Sequence, residues 1–378
     1  MKKVLYIALC AVLVALFVGG VSCQADYEVA VTAKEAILVS EDGQVLAEHN
    51  ATEHRPIASM TKIMTLLCVY DALDDNKISL DDQVCVSERA ASMGGSQVFL
   101  EQGGTYTVNN LIKSVVVCSA NDSCVALAEH VSGSVESFVK TMNEKCAELG
   151  LVDTHFDNCT GLPAVSQYSC AKDVSVMLRN LVKHPHYFSC SRIWMEDFAH
   201  PGGRVTGMTN TNKLVRFYQG CDGGKTGFTS EAGHCLAATA VRNGMRVFAV
   251  VVGATDSKTR FKEVSDMFNY AFANYEQKVY LADNEKVGDI DVVGGKANSA
   301  EVVSDGQLTF FGKKGQSACT VTVEQLDHIQ APVRKGDIIG TARLLRDGEE
   351  VASVKLVAAC GVEAKSYLDY VKEIICGQ

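Results

Sequence analysis

A chain of 378 residues, 47% of them hydrophobic and 21% charged, has the apolar content to bury a core, which excludes disordered, collagenous and low-complexity architectures. Its 35 Lys and Arg against 45 Asp and Glu give a formal charge of −10. An acidic chain lacks the basic face that holds a phosphate backbone, so nucleic acid is excluded as a partner.

At the N-terminus Lys2 and Lys3 precede an uncharged apolar run from Val4 to about Val21 and then small residues. This is the order of a secretory signal peptide, assigned to residues 1–25; an uncleaved membrane anchor is the rival reading. The protein is therefore expected outside the cytoplasm, at the cell wall or the outer face of the cytoplasmic membrane. Cys23 stands as in a lipoprotein cleavage site, but Gly20 occupies the place of a large aliphatic residue. The 15 cysteines are odd in number and lie mostly inside apolar runs, as Cys68, Cys118 and Cys235 do. That placement predicts free, buried thiols acting as small hydrophobes in preference to a disulfide scaffold.

Residues 30–47 alternate apolar and polar positions around Glu41-Asp42-Gly43, the pattern of a hairpin. Pro56 then introduces a nearly all-apolar helical stretch, SMTKIMTLLCVYDAL, whose composition assigns it to the core. Helical periodicity continues over 108–117, 122–131 and 135–149, with Gly150 as a left-handed cap after the last. Past Lys225 two apolar runs, 235–241 and 246–252, are joined through Asn243-Gly244, a strong hairpin signal, and a helix returns at 261–275. Strands at both ends with helices between predict one domain over 27–275, a sheet carrying packed helices. From Lys278 short strands broken by glycine predict a small β-rich domain over 278–364. Residues 365–378 gather Tyr367, Leu368, Val371, Ile374 and Ile375 on one helical stripe, suited to a membrane surface or to docking on its own domain.

Three short motifs carry chemistry. Ser59-Met60-Thr61-Lys62 opens the core helix, where i,i+3 spacing brings a hydroxyl and an amine to one face. A buried lysine that loses its proton becomes the base a serine nucleophile needs, and free N–H groups at a helix start face a developing oxyanion. Ser137…Lys140 and Ser169…Lys172 match the same spacing without that context. Ser119-Ala120-Asn121 lies between two predicted helices on a short exposed turn, where a hydroxyl relays a proton and an amide holds a carbonyl. Lys225-Thr226-Gly227 precedes the strand hairpin, at a strand edge suited to binding a peptide by its main chain. GCDGGKT imitates a phosphate loop, but the required first glycine is Gln219.

SxxK, SxN and KTG in this order and approximate spacing are the set of the penicillin-recognising serine enzymes. With RPIASMTKIMT, SANDSCVALAEH, TNTNKLV and DGGKTGFTSEAGHCLAATA, the chain resembles the low-molecular-mass penicillin-binding proteins, specifically the serine D-alanyl-D-alanine carboxypeptidases. The resemblance implies a β-lactamase/transpeptidase-like fold of the α/β (α+β) class, an antiparallel sheet with helices on its faces, plus a small all-β C-terminal domain. It implies Ser59 as the acylated nucleophile, Lys62 as general base, and Ser119 with Lys225 as the proton path to the leaving D-alanine. Asn121 would orient the substrate, Thr226, Gly227 and Arg260 would line the terminal carboxylate, and the N–H groups of Ser59 and Phe228 would form the oxyanion hole. The implied partners are peptidoglycan stem peptides ending in D-Ala-D-Ala and β-lactams as covalent inhibitors, with association at a membrane surface. Phe228 stands where some relatives carry a polar residue.

No cofactor or metal is expected: His184 and His186 form an HxH without a third ligand at helical spacing, and are read as loop residues. A serine β-lactamase shares the three motifs, but no ExxLN element lies between Asn121 and Lys225. A non-catalytic wall-binding protein of the same fold would have no use for the intact Ser59, Lys62, Ser119 and Lys225.

Overall fold

The computed structural model describes residues 31–376 except Ser317; the expected signal segment and Cys23 lie outside the described residues. Five strands form an antiparallel sheet in the spatial order β2-β1-β5-β4-β3: β1 (Glu35–Ser40), β2 (Val45–His49), β3 (Cys221–Thr229), β4 (Gly233–Arg242) and β5 (Met245–Ala254). The β4–β5 turn places both Asn243 (φ 51°) and Gly244 (φ 77°) in the left-handed region, as a two-residue turn matched to strand twist requires.

The sheet is covered on both faces, so its central strands are continuously apolar. Along β1 and β5, Ile37, Val39, Val250 and Val252 point into the larger core, and Ala36, Leu38, Ala249 and Val251 into the smaller one. The larger core is filled by α1 (Lys62–Asp74), α2 (Val108–Cys118), α3 (Asn121–Ser132), α4 (Val135–Glu148) and α5 (Ala171–Leu181). Against the opposite face, α6 (Ser257–Asn274) lays Val264, Met267, Phe268 and Ala271. The helices expected at 108–117, 122–131 and 135–149 are present to within a residue or two, and α6 starts four residues earlier than expected because Asp256 caps Lys258 N and Thr259 N.

The sequence reading did not anticipate α5, although Val174, Met177, Leu178 and Leu181 carry helical spacing and are buried. Nor did it anticipate the hairpin of Met195–Ala199 with Val205–Thr209. The expected free thiols are found: the twelve cysteines from Cys68 to Cys360 are unpaired, and eight of them are buried.

Beyond α6, β6 (Tyr275–Leu281) and β9 (Leu308–Lys313) form a two-stranded layer. It faces a six-stranded sheet made by β7 (Lys286–Val293), β8 (Ser299–Asp305), β10 (Thr320–Gln325), β11 (His328–Gln330), β12 (Ile338–Arg346) and β13 (Glu349–Ala358), with its own apolar core around Val302, Ala342, Leu344 and Leu356. The closing helix α7 (Tyr367–Cys376) is not docked: Tyr367 is 81%, Leu368 67%, Ile374 83% and Ile375 77% exposed. Among the described residues no helix is long and apolar enough to cross a membrane.

One buried contact braces β3 where it enters the cleft. The Tyr187 hydroxyl, from the short helix Pro185–Ser191, accepts a 2.8 Å hydrogen bond from Gly224 N. Tyr187→Phe keeps the ring and orphans that buried N–H, so it is expected to lower the free energy of unfolding by about 1–3 kcal/mol, read from urea denaturation followed by circular dichroism.

Candidate active site

Only Lys62 of the SxxK motif sits in the α-helix that its apolar sequence suggests, as the first residue of α1. Ala58–Thr61 form a 3₁₀ turn that leads into α1. In that geometry residues i and i+3 eclipse, which stacks Lys62 directly over Ser59. Ala58 holds a left-handed φ of 46°, rare for alanine. Two glycines let neighbouring chain press onto this turn. A Cβ on Gly161 would stand 2.0 Å from Ala58 O, and one on Gly227 would stand 2.6 Å from Ile57 O and 3.2 Å from Ser59 N. The edge strand β3 therefore lies directly on the turn that carries Ser59, whose first N–H groups have no partner inside a helix.

Lys62 is fully buried. Its Nζ donates to Thr160 O at 2.6 Å and stands 3.0 Å from Ser59 Oγ. Thr160 is fixed by an Asx-type turn in which Asn158 Oδ1 accepts from Thr160 N (3.1 Å) and Gly161 N (2.8 Å). Among the described residues no carboxylate pairs with Lys62, and burial lowers its pKa from the ordinary lysine value. With one N–H held by Thr160 O, an amine that has given up its proton would turn its lone pair to the Ser59 hydroxyl.

Ser119 follows the end of α2 in a left-handed conformation (φ 67°) and is buried, 3% exposed. The turn read as exposed is thus the floor of the cleft, because α2 and α3 both pack into the larger core. Lys225 Nζ donates to Ser119 Oγ at 2.7 Å and to Thr226 O at 3.1 Å. Burial, and next the positive charge of Lys62, hold Lys225 well below the ordinary lysine range. Upstream, Asn212 of the TNTN segment donates to Gly223 O at 3.1 Å, and Gly224 (φ 134°) has no room for a Cβ, which would meet Ala237 O at 2.3 Å.

Asn121 donates from Nδ2 to Gly94 O at 2.7 Å and does not bond to Lys62; its Oδ1 is buried without a partner. That acceptor is open to a substrate N–H. Thr226 is buried beside Lys225 on β3, and Phe228 shows an exposed ring stacked on His234 with centroids 4.4 Å apart. Arg260 is buried in the first turn of α6, where Nη1 donates to Gly227 O (2.9 Å) and Cys235 O (3.2 Å). No carboxylate pairs with it among the described residues, its Nε has no partner, and burial lowers its pKa. A buried guanidinium without a counter-ion next to Gly227 suits an incoming carboxylate.

The competing motifs separate cleanly. Ser137 and Lys140 are exposed on α4, and Ser169 binds Thr154 while Lys172 points to solvent. His184 caps and His186 enters the short helix Pro185–Ser191, not a loop; they bond to Asp74 (3.0 Å) and the Tyr70 hydroxyl (3.1 Å) respectively. Residues the sequence reading missed are Thr160, Gly161, Tyr187 and Asp122. Only Asn158-x-Thr-Gly, a turn signal, pointed to any of them. Cys124, fully buried, lies near both lysines and its thiol is pushed up to about 11, so it stays neutral there.

Comparison with known proteins bears on the whole chain. Residues 21–256 match the family model described as D-alanyl-D-alanine carboxypeptidase, and residues 275–364 match the C-terminal domain of penicillin-binding protein 5. D-alanyl-D-alanine carboxypeptidase DacF of Bacillus subtilis is 38% identical over 98% of this chain and 97% of its own length. DacC of Escherichia coli is 33% identical over 88% and 84%. Among solved structures, penicillin-binding protein 5 of Haemophilus influenzae superposes with a TM-score of 0.68 at 31% identity, covering 88% of this chain and 98% of that one. PBP3 of Streptococcus pneumoniae, described as a peptidoglycan synthesis regulatory factor, gives 0.72 at 27%, covering 88% and 100%.

The burial of Lys62 sets a sign for pH dependence. Only the neutral amine accepts a proton, so the rate of acylation by labelled penicillin should rise with pH and level off at a midpoint below 10.5. Lys62→Arg, which cannot deprotonate, should reduce that rate by roughly 10²–10⁴-fold. A flat profile well into acid would remove Lys62 from the role of base.

Proposed function

The chain belongs to the D-alanyl-D-alanine carboxypeptidase family of serine peptidases, and we propose that its reaction runs through an acyl-enzyme on Ser59. It is a serine-type D-alanyl-D-alanine carboxypeptidase and binds penicillin. In the proposed course, Ser59 Oγ attacks the carbonyl of the penultimate D-alanine of a peptidoglycan stem pentapeptide while its proton passes to Lys62. The N–H groups of Ser59 and Phe228 stabilise the tetrahedral oxyanion. Ser119, hydrogen-bonded to Lys225, hands a proton to the amine of the departing D-alanine, and water then releases the shortened peptide. Asn121 orients the upstream peptide; Thr226 and Arg260 hold the terminal carboxylate beside Gly227. A β-lactam follows the same first step, its ring amide replacing the scissile bond.

The observation that supports this most is the meeting of two serine–lysine pairs around one cleft, 59 with 62 at 3.0 Å and 119 with 225 at 2.7 Å. The chemistry asks for no cofactor, since nucleophile, base, proton donor and oxyanion contacts are all side chains or backbone of this chain.

We propose that residues 27–275 form the catalytic domain and 278–364 a small β-rich domain. We propose that residues 1–25 direct export, so that the enzyme acts at the cell wall or the outer face of the cytoplasmic membrane. The exposed stripe of α7, with Leu368, Ile374 and Ile375 outward, suits contact with a membrane surface.

Incubation with a D-Ala-D-Ala peptide should release free D-alanine, and labelled penicillin should add mass to the peptide containing Ser59. Ser59→Ala should abolish both. Label retained by the Ser59→Ala protein would move the nucleophile elsewhere.

A further inference from the structure

Among the described residues, eight that are not glycine have positive φ, and five of these are Asn or Asp, which tolerate that conformation. The other three are Ala58, Ser119 and Phe99. Ala58 precedes the nucleophile and Ser119 is the serine of SxN. Strained backbone persists where the surroundings over-determine it, and it gathers at functional sites. Phe99 (φ 64°) is the third member of the set and the bulkiest.

The segment that carries it is locked from two sides. The buried Asp122 carboxylate accepts from Val98 N at 3.1 Å and Leu100 N at 3.0 Å, while Thr206 Oγ1 donates to Val98 O at 3.1 Å and Arg204 to Phe99 O. Val98 and Leu100 point inward, 0% and 4% exposed, and Phe99 points outward, 55% exposed. The same segment holds Asn121 through Ser96 O, which accepts from Asn121 N, and Gly94 O, which accepts from Asn121 Nδ2, both at 2.7 Å. Phe99 is therefore carried by the segment that holds Asn121. At an exposed left-handed position, Asn or Gly would avoid the strain, and an aromatic ring gains nothing from water. The exposed ring has apolar area to offer a ligand and no charge to attract one.

We propose that Phe99 is a substrate-positioning residue whose ring packs on the aliphatic side chain of the stem-peptide residue immediately upstream of D-Ala-D-Ala, and so sets the preference at that position. This rests on the carboxypeptidase reading, with Asn121 orienting the upstream peptide.

The test compares kcat/KM for D-alanine release from Nα,Nε-diacetyl-L-lysyl-D-Ala-D-Ala and from N-acetyl-glycyl-D-Ala-D-Ala. Phe99→Asn suits the left-handed backbone and removes the ring; its thermal unfolding should occur at or above the wild-type temperature. The preference for the lysyl substrate should fall about tenfold, the loss expected from uncovering roughly two methylenes, and Phe99→Tyr should restore it. Equal losses on both substrates, an unchanged preference in Phe99→Asn, or no preference in the wild type would overturn the role of Phe99 alone. Failure of the wild type to release D-alanine from either peptide would overturn the parent reading together with it.

Discussion

The constraint on which the site depends is the burial of two lysines in one cleft, neither of them salt-bridged to a carboxylate among the described residues. An unpaired ammonium out of water is costly enough that the group gives up its proton instead. Lys62 is fully enclosed, Lys225 is 2% exposed, and each is oriented by a carbonyl and a serine hydroxyl where an acid would otherwise stand. A salt bridge at either position would fix the charge and end the chemistry. Burial first, and then the positive charge of Lys62, hold the pKa of Lys225 well below the ordinary lysine range.

Such burial requires walls, and the fold supplies them by driving an edge strand onto a helix start. The close approach of β3 to the 58–61 turn is possible because residues 161 and 227 carry no Cβ, and the approach is held by Tyr187 and Asn212 behind the strand. Among the described residues the same arrangement leaves one edge of the five-stranded sheet unpaired beside Ser59. An unpaired edge is a hazard in most proteins; beside Ser59 it is a surface suited to receiving a peptide's main chain. Ala58 and Ser119, the residues at the two serine turns, both hold left-handed backbone, strain that the surrounding packing must over-determine.

Asp122 illustrates how one buried charge can organise a site without touching substrate. It follows Asn121 in sequence, and its carboxylate takes the N–H groups of Val98, Leu100 and Ser123. The acceptor-rich carboxylate replaces the hydrogen bonds these amides would lose on burial, and in doing so clamps the 94–100 segment against the start of α3. The side chain that faces the cleft, Asn121, and the one that faces the interior, Asp122, are thus set by a single turn of helix.

Much of this was legible in the sequence. The three motifs, the hairpin at Asn243-Gly244, the apolar run of α1 and the change to glycine-broken strands after Lys278 are local signals, since a period, a turn dipeptide or a motif spans a few neighbouring residues. What local signals could not decide is which face of a segment meets which partner. The 3₁₀ form of the nucleophile turn, the burial of Ser119 and the carbonyl that orients Lys62 from 98 residues away are settled by contacts distant in the chain. Chemistry of the right kind was written into residues 59, 62, 119 and 225, but the depressed pKa values that make it work exist only once the helices and the edge strand have excluded water.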